Sequence, residues 1–200
     1  MPCDRLFVTP LWSWHHPEPD ALTPLVRRVL ALEAADPAGL QLTNQGGWHS
    51  ATTLLDDPVF HALFQWIATS VQAGLEDWGW DLAQARPCFN NAWAMVNRRG
   101  HSTRAHLHPN SLFSGVFYLQ VPEGSGAIAF LDPRAGAQML QAPLRRSSAA
   151  LASSGRVTRN PEAGELLLFP SWLWHEVEPS DGPEPRICLS FNLGMRPVGP

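Results

Sequence analysis

Two histidines separated by one residue, His106 and His108, have the residue type and the spacing that metal binding needs. Side chains at positions i and i+2 of an extended strand project to the same face, so both imidazoles can reach one cation. A third histidine, His175, lies far downstream among apolar neighbours, where an unpaired polar group would be costly. The pattern predicts a metal site formed by these three histidines, with a satisfied core histidine as the alternative for His175.

Arg186 follows His175 by eleven residues, across a turn of sequence SDGPEP. The turn predicts that the strands on either side of it are hairpin neighbours. A guanidinium in that place could hold a carboxylate through two parallel hydrogen bonds, and an ordinary surface salt bridge is the alternative. Three histidines with a nearby arginine are typical of non-haem Fe(II) oxygenases, which leave metal positions open for oxygen and an acidic co-substrate.

Three further residues are candidates for contacts with that co-substrate. Tyr118 is the only tyrosine, and its phenol could reach the same carboxylate or could belong to a core aromatic with a satisfied hydroxyl. Ser190 shares a strand face with Arg186, so it could add a hydroxyl contact or merely pack. Asn97 could point into the interior of the fold and donate a hydrogen bond there.

Other polar residues are weaker candidates for the metal site. Asp132, in the stretch FLDPR, is the main rival carboxylate, but a turn with Arg134 as its partner is the simpler interpretation. His101 follows Gly100, and the turn there leaves its direction undetermined. The remaining histidines have no ligand-like companions and are expected at the surface or on helices: His15, His16, His49 and His61.

The composition excludes several classes of protein. A net charge of −4 gives no broad basic surface, which argues against nucleic-acid binding. The chain contains no lysine, so lysine Schiff-base chemistry is excluded. Three widely spaced cysteines argue against a zinc ribbon or a disulfide framework. With neither a signal-like start nor a run of 18 apolar residues, we expect a cytoplasmic protein without a membrane span.

The N-terminal part of the chain, about residues 20–80, has the periodicity of helices. Apolar residues recur at helical spacing from Asp20 to about Ala35, and again from Pro58 to about Asp77. A short strand is expected before them at residues 5–12. Between them lies a Gly/Asn-rich loop, TNQGGWHS, that could reach toward a site.

After Pro87 the pattern changes to short strands separated by turns. Seven are expected, at residues 89–97, 102–108, 112–121, 126–132, 164–170, 173–179 and 186–192. They predict a mostly β sandwich or jelly roll, with the N-terminal helices buttressing one sheet. Residues 134–160 contain few large apolar groups and are expected to form a loop. We interpret residues 1–200 as one domain with its β core at about 88–193.

The second half of the chain resembles the Fe(II)/2-oxoglutarate-dependent oxygenases of bacteria, which are related more distantly to prolyl hydroxylases. The resemblance rests on W-x-x-x-N-x-x-G, HLHPNSLFSGVFYLQVP, FLDPR, PEAGELLLFPSWLWHEV and RICLSFN, and it covers roughly residues 89–193. It implies a double-stranded β-helix, a cupin-like jelly roll, that holds Fe(II). It also implies that His106 and His175 bind the iron and that Arg186 and Tyr118 contact the distal carboxylate of 2-oxoglutarate.

One position departs from that resemblance. The wider superfamily has Asp or Glu two residues after the first histidine, and this chain has His108 there. Either three neutral histidines hold the metal, or a carboxylate comes from elsewhere, with the amide of Asn110 as a poorer alternative. Cys188 also stands where such enzymes often have serine, which puts one co-substrate contact in doubt.

The resemblance implies an oxidoreductase, a dioxygenase that couples oxidative decarboxylation of 2-oxoglutarate by molecular oxygen to hydroxylation of a substrate. A small molecule and a peptide side chain are both open as substrates. A homodimer is open as the oligomeric state. Two alternatives stand beside it: a three-histidine cupin-like metalloenzyme that does not use 2-oxoglutarate, and a non-catalytic β-sandwich binding module. Trp48, Trp172 and Trp174 could line an entrance, together with the loop at 134–160.

Overall fold

Eleven strands and two α-helices make up the described part of the computed structural model, which covers residues 6–136, 139 and 155–199. In chain order they are β1 (Trp12–His15), α1 (Leu22–Ala35), β2 (Asn44–Gln45), β3 (Trp48–His49), α2 (His61–Asp77), β4 (Ala85–Asn97), β5 (Ser102–His106), β6 (Phe113–Gln120), β7 (Ile128–Leu131), β8 (Arg156–Arg159), β9 (Glu165–Pro170), β10 (His175–Val177) and β11 (Arg186–Pro197). Short 3-10 turns occupy Pro19–Ala21, Leu54–Asp56 and Pro58–Phe60.

The strands form two antiparallel sheets. The larger sheet has the order β1-β9-β6-β11-β4-β3, and the smaller has the order β2-β5-β10-β7-β8. Neighbouring strands in each sheet come from distant parts of the chain, as in a jelly roll. The predicted mostly β architecture of two sheets is therefore confirmed.

Both helices cover the outer face of the larger sheet. Their buried residues recur at helical spacing, as Leu22, Leu25 and Val29 in α1 and Leu63, Phe64, Ile67, Val71 and Leu75 in α2. These side chains share one core with alternate residues of β11, namely Ile187, Leu189 and Phe191. The residues between them on β11 therefore face the other way, into the space between the two sheets. The prediction of buttressing helices is confirmed.

The strand expected at residues 5–12 is wrong in position. The first strand, β1, begins only at Trp12 and pairs with β9 through His15. Residues 6–11 make no sheet pairing, and Pro10 among them has no N–H to donate. A further strand, β8, lies in the region expected to be a loop, and it pairs with β7 at the edge of the smaller sheet. Most of the predicted loop at 134–160 lies outside the described residues.

The predicted hairpin between the strands of His175 and Arg186 is also wrong. Strand β10 pairs with β5 and β7, whereas β11 pairs with β4 and β6 in the other sheet. The connection between them bonds to other turns instead of closing on itself. Ser180 exchanges backbone hydrogen bonds with Gly100 and His101, and Asp181 donates to the carbonyl of Gly124. The chain therefore crosses from one sheet to the other at this point. No helix within the described ranges is long and apolar enough to cross a membrane.

Candidate active site

Three histidines converge in the space between the two sheets. His106 ends β5 and His175 begins β10, and the two are paired residues of the smaller sheet. His108 lies just beyond β5, where its backbone N–H donates to the carbonyl of Ser171 at 3.0 Å. The three ring centroids are 4.3, 4.9 and 5.2 Å apart, and ligand nitrogens of all three lie within 4.8 Å of one another. The structure thus brings together the three histidines singled out in the sequence.

Backbone carbonyls fix the orientation of two of these rings. Nδ1 of His106 donates to the carbonyl of Arg104 at 2.8 Å, and Nδ1 of His175 donates to the carbonyl of Leu173 at 2.9 Å. A carbonyl can only accept, so Nδ1 carries the hydrogen and Nε2 of each neutral ring keeps a lone pair. Hydrogen bonds of this kind orient metal-binding histidines. Both rings therefore offer Nε2 as the ligand atom.

Burial keeps the histidine cluster neutral. It lowers the pKa of His175 to about 3, with a further contribution from the neighbouring His106. Burial and the proximity of His106 likewise lower the pKa of His108 to about 4, and burial lowers the pKa of His106. Because a metal binds the neutral form of imidazole, the three rings are in the ligand form at neutral pH.

No carboxylate joins this cluster among the residues that the structure describes. Asp132 accepts hydrogen bonds from the backbone and the guanidinium of Arg134 at 2.7–2.9 Å, so the predicted turn is confirmed. Asn110 is exposed in a turn with a φ of 65° and does not border the cavity beside the histidines. The internal residues outside the description, 137–138 and 140–154, include no Asp or Glu in their sequence. The described residues therefore supply no carboxylate ligand to this cluster.

A cavity of about 260 Å³ between the sheets extends from the histidines to the start of β11. All four residues predicted to contact a co-substrate line it, namely Arg186, Tyr118, Asn97 and Ser190. Arg186 pairs with Asn97 of β4, and Tyr118 of β6 pairs with Cys188, two residues after Arg186. The larger sheet therefore supplies the co-substrate candidates, and the smaller sheet supplies His106 and His175.

The closed end of the cavity holds buried polar atoms that have no hydrogen-bond partner among the described residues. They are Nε of Arg186, the hydroxyl of Tyr118, and both side-chain polar atoms of Asn97. An unsatisfied buried polar group costs about 1–3 kcal/mol, so three donors left free in one place indicate a missing acceptor. The guanidinium of Arg186, only 2% exposed, contacts the Sγ of Cys188 at 3.6 Å and lies over the Tyr118 ring at 4.9 Å.

These groups fit a carboxylate. Burial raises the pKa of Tyr118, so its phenol keeps the proton that it would donate. Burial also raises the pKa of Cys188, so its thiol adds no negative charge beside Arg186. Gly47 packs against the amide of Asn97 so closely that a Cβ there would collide with Oδ1, which makes a residue without a side chain necessary. The end of the cavity is thus shaped for one small anion.

His49 was expected at the surface, and that prediction is wrong. It is 4% exposed, lines the cavity, and stacks on Trp93 with ring centroids 5.4 Å apart and planes 8° from parallel. Its Nδ1 donates to the carbonyl of Ser50 at 2.6 Å, and burial lowers its pKa. The short strand β3 pairs His49 with Met95 and so carries the ring into the cavity. A two-residue strand after a Gly-Gly turn has no periodicity that could have revealed this.

A polar ladder across the larger sheet was also missed. Ser114 Oγ donates to Oδ1 of Asn192 at 2.7 Å, and Nδ2 of Asn192 donates to Oδ1 of Asn91 at 3.0 Å. All three residues line the cavity. The alternation in NNAWAMVN could have indicated it, since Asn91 stands six residues before Asn97 and hence on the same strand face.

The other histidines lie away from the cavity. His15 and His61 are exposed, as expected, whereas His16 is half-buried with its ring 4.8 Å from that of Trp66. His101 accepts a hydrogen bond from the backbone N–H of Arg98 at 3.0 Å.

The structure excludes Trp48 from the suggested tryptophan entrance. Trp48 is buried and donates to the carbonyl of Asp36 at 2.7 Å, because β3 turns it away from the cavity that His49 faces. Trp172 and Trp174 are exposed and do not line the cavity. Trp93 is the tryptophan that does.

Several solved structures have a fold similar to that of this chain. A prolyl-4-hydroxylase from Pseudomonas putida aligns with a TM-score of 0.62 and 18% identity, over 93% of this chain and 92% of its own. HygX from Streptomyces hygroscopicus, solved with nickel and 2-oxoglutarate, aligns with a TM-score of 0.64 and 12% identity, over 93% and 83% of the two chains. A prolyl hydroxylase from Trichoplax adhaerens, in complex with a hypoxia inducible factor peptide fragment, aligns with a TM-score of 0.62 and 15% identity, over 92% and 83%. At such identities the likeness shows the fold, which is the double-stranded β-helix.

The sequence itself supplies the family. No curated protein shows significant sequence similarity to the chain. The family model for 2OG-Fe(II) oxygenases, however, matches residues 91–192, which is half of the chain and includes the three histidines and Arg186. The chain therefore belongs to the 2OG-Fe(II) oxygenase family, whose cofactors are Fe(II) and 2-oxoglutarate.

Proposed function

We propose that this oxygenase is a hydroxylase in which His106, His108 and His175 bind Fe(II) and Arg186 anchors 2-oxoglutarate. One observation carries the proposal: unpaired, buried donors of Arg186, Tyr118 and Asn97 border the same cavity as a cluster of three neutral histidines. The free donors can bind the carboxylate of a small acid, and the three histidines can bind a cation. 2-Oxoglutarate and Fe(II) meet both needs.

The histidine cluster suits a catalytic metal. Imidazole is a common ligand of iron, and three of them leave half of an octahedron for other molecules. The carbonyls of Arg104 and Leu173 hold two of the rings in position before any metal arrives. When bound, Fe(II) and 2-oxoglutarate supply the oxidation of the substrate by molecular oxygen, with succinate and carbon dioxide as co-products.

The chain's own groups bind and orient the co-substrate. The guanidinium of Arg186 offers a planar fork that matches a carboxylate, and Tyr118 and Asn97 each add a donor. Ser190 lies four residues after Arg186 on the same face of β11 and lines the same cavity. Cys188 lies between them and contacts the guanidinium instead of donating to the acid.

The closed end of the cavity also excludes water. Tyr118 is fully buried, and Phe130, Phe169 and Leu173 belong to the same inner core between the sheets. In such surroundings the attraction between a guanidinium and a carboxylate is stronger than in water. We therefore expect 2-oxoglutarate to enter with its distal carboxylate first. The substrate, a small molecule or a peptide side chain, would follow from the open side.

Anaerobic titration tests this proposal. Fe(II)-loaded protein should develop a visible metal-to-ligand charge-transfer band when 2-oxoglutarate is added. Arg186→Ala should weaken 2-oxoglutarate binding by about 30-fold or more, because truncating one partner of a buried charge pair costs about 2–5 kcal/mol. Arg196→Ala, an exposed arginine on the same strand, is the matched control and should leave the titration unchanged.

Two outcomes would contradict the proposal. Folded, iron-loaded protein that develops no band does not bind 2-oxoglutarate at its iron. A band of equal strength and midpoint in Arg186→Ala would mean that the anchor lies elsewhere, as expected for a three-histidine enzyme that binds its substrate directly.

A further inference from the structure

The pairing register of the larger sheet separates two polar ends of the cavity. At one end Asn97 of β4 pairs with Arg186 of β11. Six residues back along β4, Asn91 pairs with Asn192, which in turn pairs with Ser114 of β6. Six residues of extended strand span about 20 Å, so these two ends cannot contact the same small molecule.

The three histidines lie nearer the Asn91 end. The ring of His108 is 5.7 Å from that of Trp93, which stands two residues from Asn91. The ring of His175 is 4.7 Å from that of Phe169, whose paired residue is Ser114. A molecule anchored at Arg186 therefore approaches the histidines from one side and leaves the Asn91 end free for a second molecule.

The polar ladder at this end has a direction. The hydroxyl of Ser114 donates to Asn192, and the amide nitrogen of Asn192 donates to Asn91. The side-chain oxygen of each asparagine is therefore already an acceptor in the ladder. Nδ2 of Asn91 is left as a donor with no partner among the described residues. Ser114 and Asn192 are 2% and 6% exposed, so the ladder holds the Asn91 amide in place. The hydroxyl of Thr52, which also lines the cavity, is likewise unbonded within the described ranges.

The charges around the cavity are unbalanced. Its described lining includes Arg186 and no acidic side chain. In the proposed arrangement the distal carboxylate of 2-oxoglutarate neutralises Arg186, and its other carboxylate neutralises one of the two positive charges of Fe(II). Because the three histidines are neutral, one positive charge remains in excess beside them, nearer the Asn91 end than Arg186 is. An uncompensated charge in a buried site is costly, so a further anion would stabilise the loaded cavity.

We propose that the substrate is a carboxylate-bearing molecule whose carboxylate binds at the Asn91 end, accepting hydrogen bonds from the Asn91 amide and the Thr52 hydroxyl. This inference rests on the proposed function, because the excess positive charge beside the histidines arises only with Fe(II) and 2-oxoglutarate held as described. Cationic substrates are disfavoured by the same balance, since no acidic side chain lines the described cavity.

Small probes of equal size test the substrate class by binding alone. Acetate, acetamide and methylammonium are titrated into anaerobic protein loaded with Fe(II) and saturated with 2-oxoglutarate, and the shift of the charge-transfer band is followed. Acetate should bind at least about tenfold more tightly than either of the other two. Equal binding of acetate and acetamide, or no binding of acetate at concentrations that saturate comparable carboxylate sites, would overturn the inference while the band itself upholds the proposed function.

A pair of variants locates the anion. Asn91→Asp keeps the size of the side chain and its acceptor for Asn192, but it replaces the donor by a negative charge. It should weaken acetate binding by about tenfold or more and leave the 2-oxoglutarate titration unchanged. Asn90→Asp adds the same charge at the next residue, which is exposed and does not line the cavity, so acetate binding should be unchanged.

The outcomes of these titrations are distinguishable. If Asn91→Asp binds acetate as tightly as the parent protein, the anion does not bind at Asn91 and the inference is wrong. If no charge-transfer band forms even in the parent protein, both the proposed function and this inference fail. Far-UV circular dichroism of each variant establishes that the comparison is made on folded protein.

Discussion

His175 and Arg186 are eleven residues apart in the sequence, yet they belong to different sheets and line the same cavity from opposite walls. The crossing occurs in the short connection that bonds to Gly100 and Gly124. It gives each residue a separate support: His175 pairs with His106, and Arg186 pairs with Asn97. A cation and an anion can therefore be held at two fixed points on either side of one space.

Removing a proposed ligand should remove the metal. We expect His106→Ala and His175→Ala to lower iron affinity by at least about 100-fold, because each ring supplies one of only three protein ligands. Both variants should keep the fold, since His106 and His175 line a cavity and neither belongs to an apolar core cluster. Metal analysis after dialysis measures the effect, with the exposed His61→Ala as control. Full iron occupancy in either variant would disprove that ligand.

The third ligand position has its own test. His108→Asp should retain iron, because a carboxylate is also a good iron ligand, whereas His108→Ala should lose most of it. The added negative charge stabilises a higher oxidation state of the iron, so we expect 2-oxoglutarate consumption without substrate to be at least as fast as in the parent protein. Iron stoichiometry and succinate production are the measurements. Equal iron in all three proteins would show that position 108 is not a ligand.

The buried guanidinium should weaken the protein that lacks its co-substrate. Without 2-oxoglutarate, Arg186 has no anionic partner among the described residues, and Arg186→Met removes an unpaired buried charge of similar length. We expect this variant to gain about 1–4 kcal/mol in free energy of unfolding. It should also lose the stabilisation that 2-oxoglutarate gives to the parent protein. Chemical denaturation with and without 2-oxoglutarate measures both effects. A variant that is less stable than the parent protein without 2-oxoglutarate would contradict the prediction.

Acid should destabilise the metal-free protein through its histidine cluster. Above about pH 6.5 these rings are neutral in both the folded and the unfolded chain. Below this pH the histidines are protonated in the unfolded chain but stay neutral in the folded chain, where the pKa is about 4 for His108 and about 3 for His175. The free energy of unfolding should therefore fall as the pH drops from about 6.5 to about 3. Denaturation in the presence of a chelator measures this free energy across the range. The free energy should fall less in His108→Leu than in the parent protein, and an equal fall in both would show that the pKa of His108 is not lowered in the folded chain.

Gly47 should matter for the co-substrate and not for the iron. Its backbone needs no unusual φ, but a Cβ there would collide with the amide of Asn97. Gly47→Ala should displace that amide and weaken 2-oxoglutarate binding several-fold, with iron affinity unchanged. Gly136→Ala is the control, because a Cβ at Gly136 would meet no atom within 4 Å. If both variants titrate like the parent protein, Asn97 makes no contact with 2-oxoglutarate.

Local periodicity determined much of this protein before any fold was known. Helical spacing of apolar residues located α1 and α2 to within a few residues, because burying one stripe of a helix requires that spacing. Strand alternation predicted that Arg186 and Ser190 share one face of a strand, and both line the cavity. His106 and His108 also meet at one site, although His108 lies just beyond β5. The family followed from the order of short motifs along the second half of the chain.

Only the tertiary structure decided which strands meet. The turn after His175 looked like a hairpin, but its backbone groups found partners in other turns, so Arg186 came to the opposite sheet. His49 became a wall of the cavity only because β3 pairs with β4, and Asn91 gained its fixed amide from residues on two other strands. Periodicity indicates which face of a segment is buried. Long-range strand pairing depends on backbone donors and acceptors, which are alike at every residue. The choice of pairing partner is therefore made only in the folded chain.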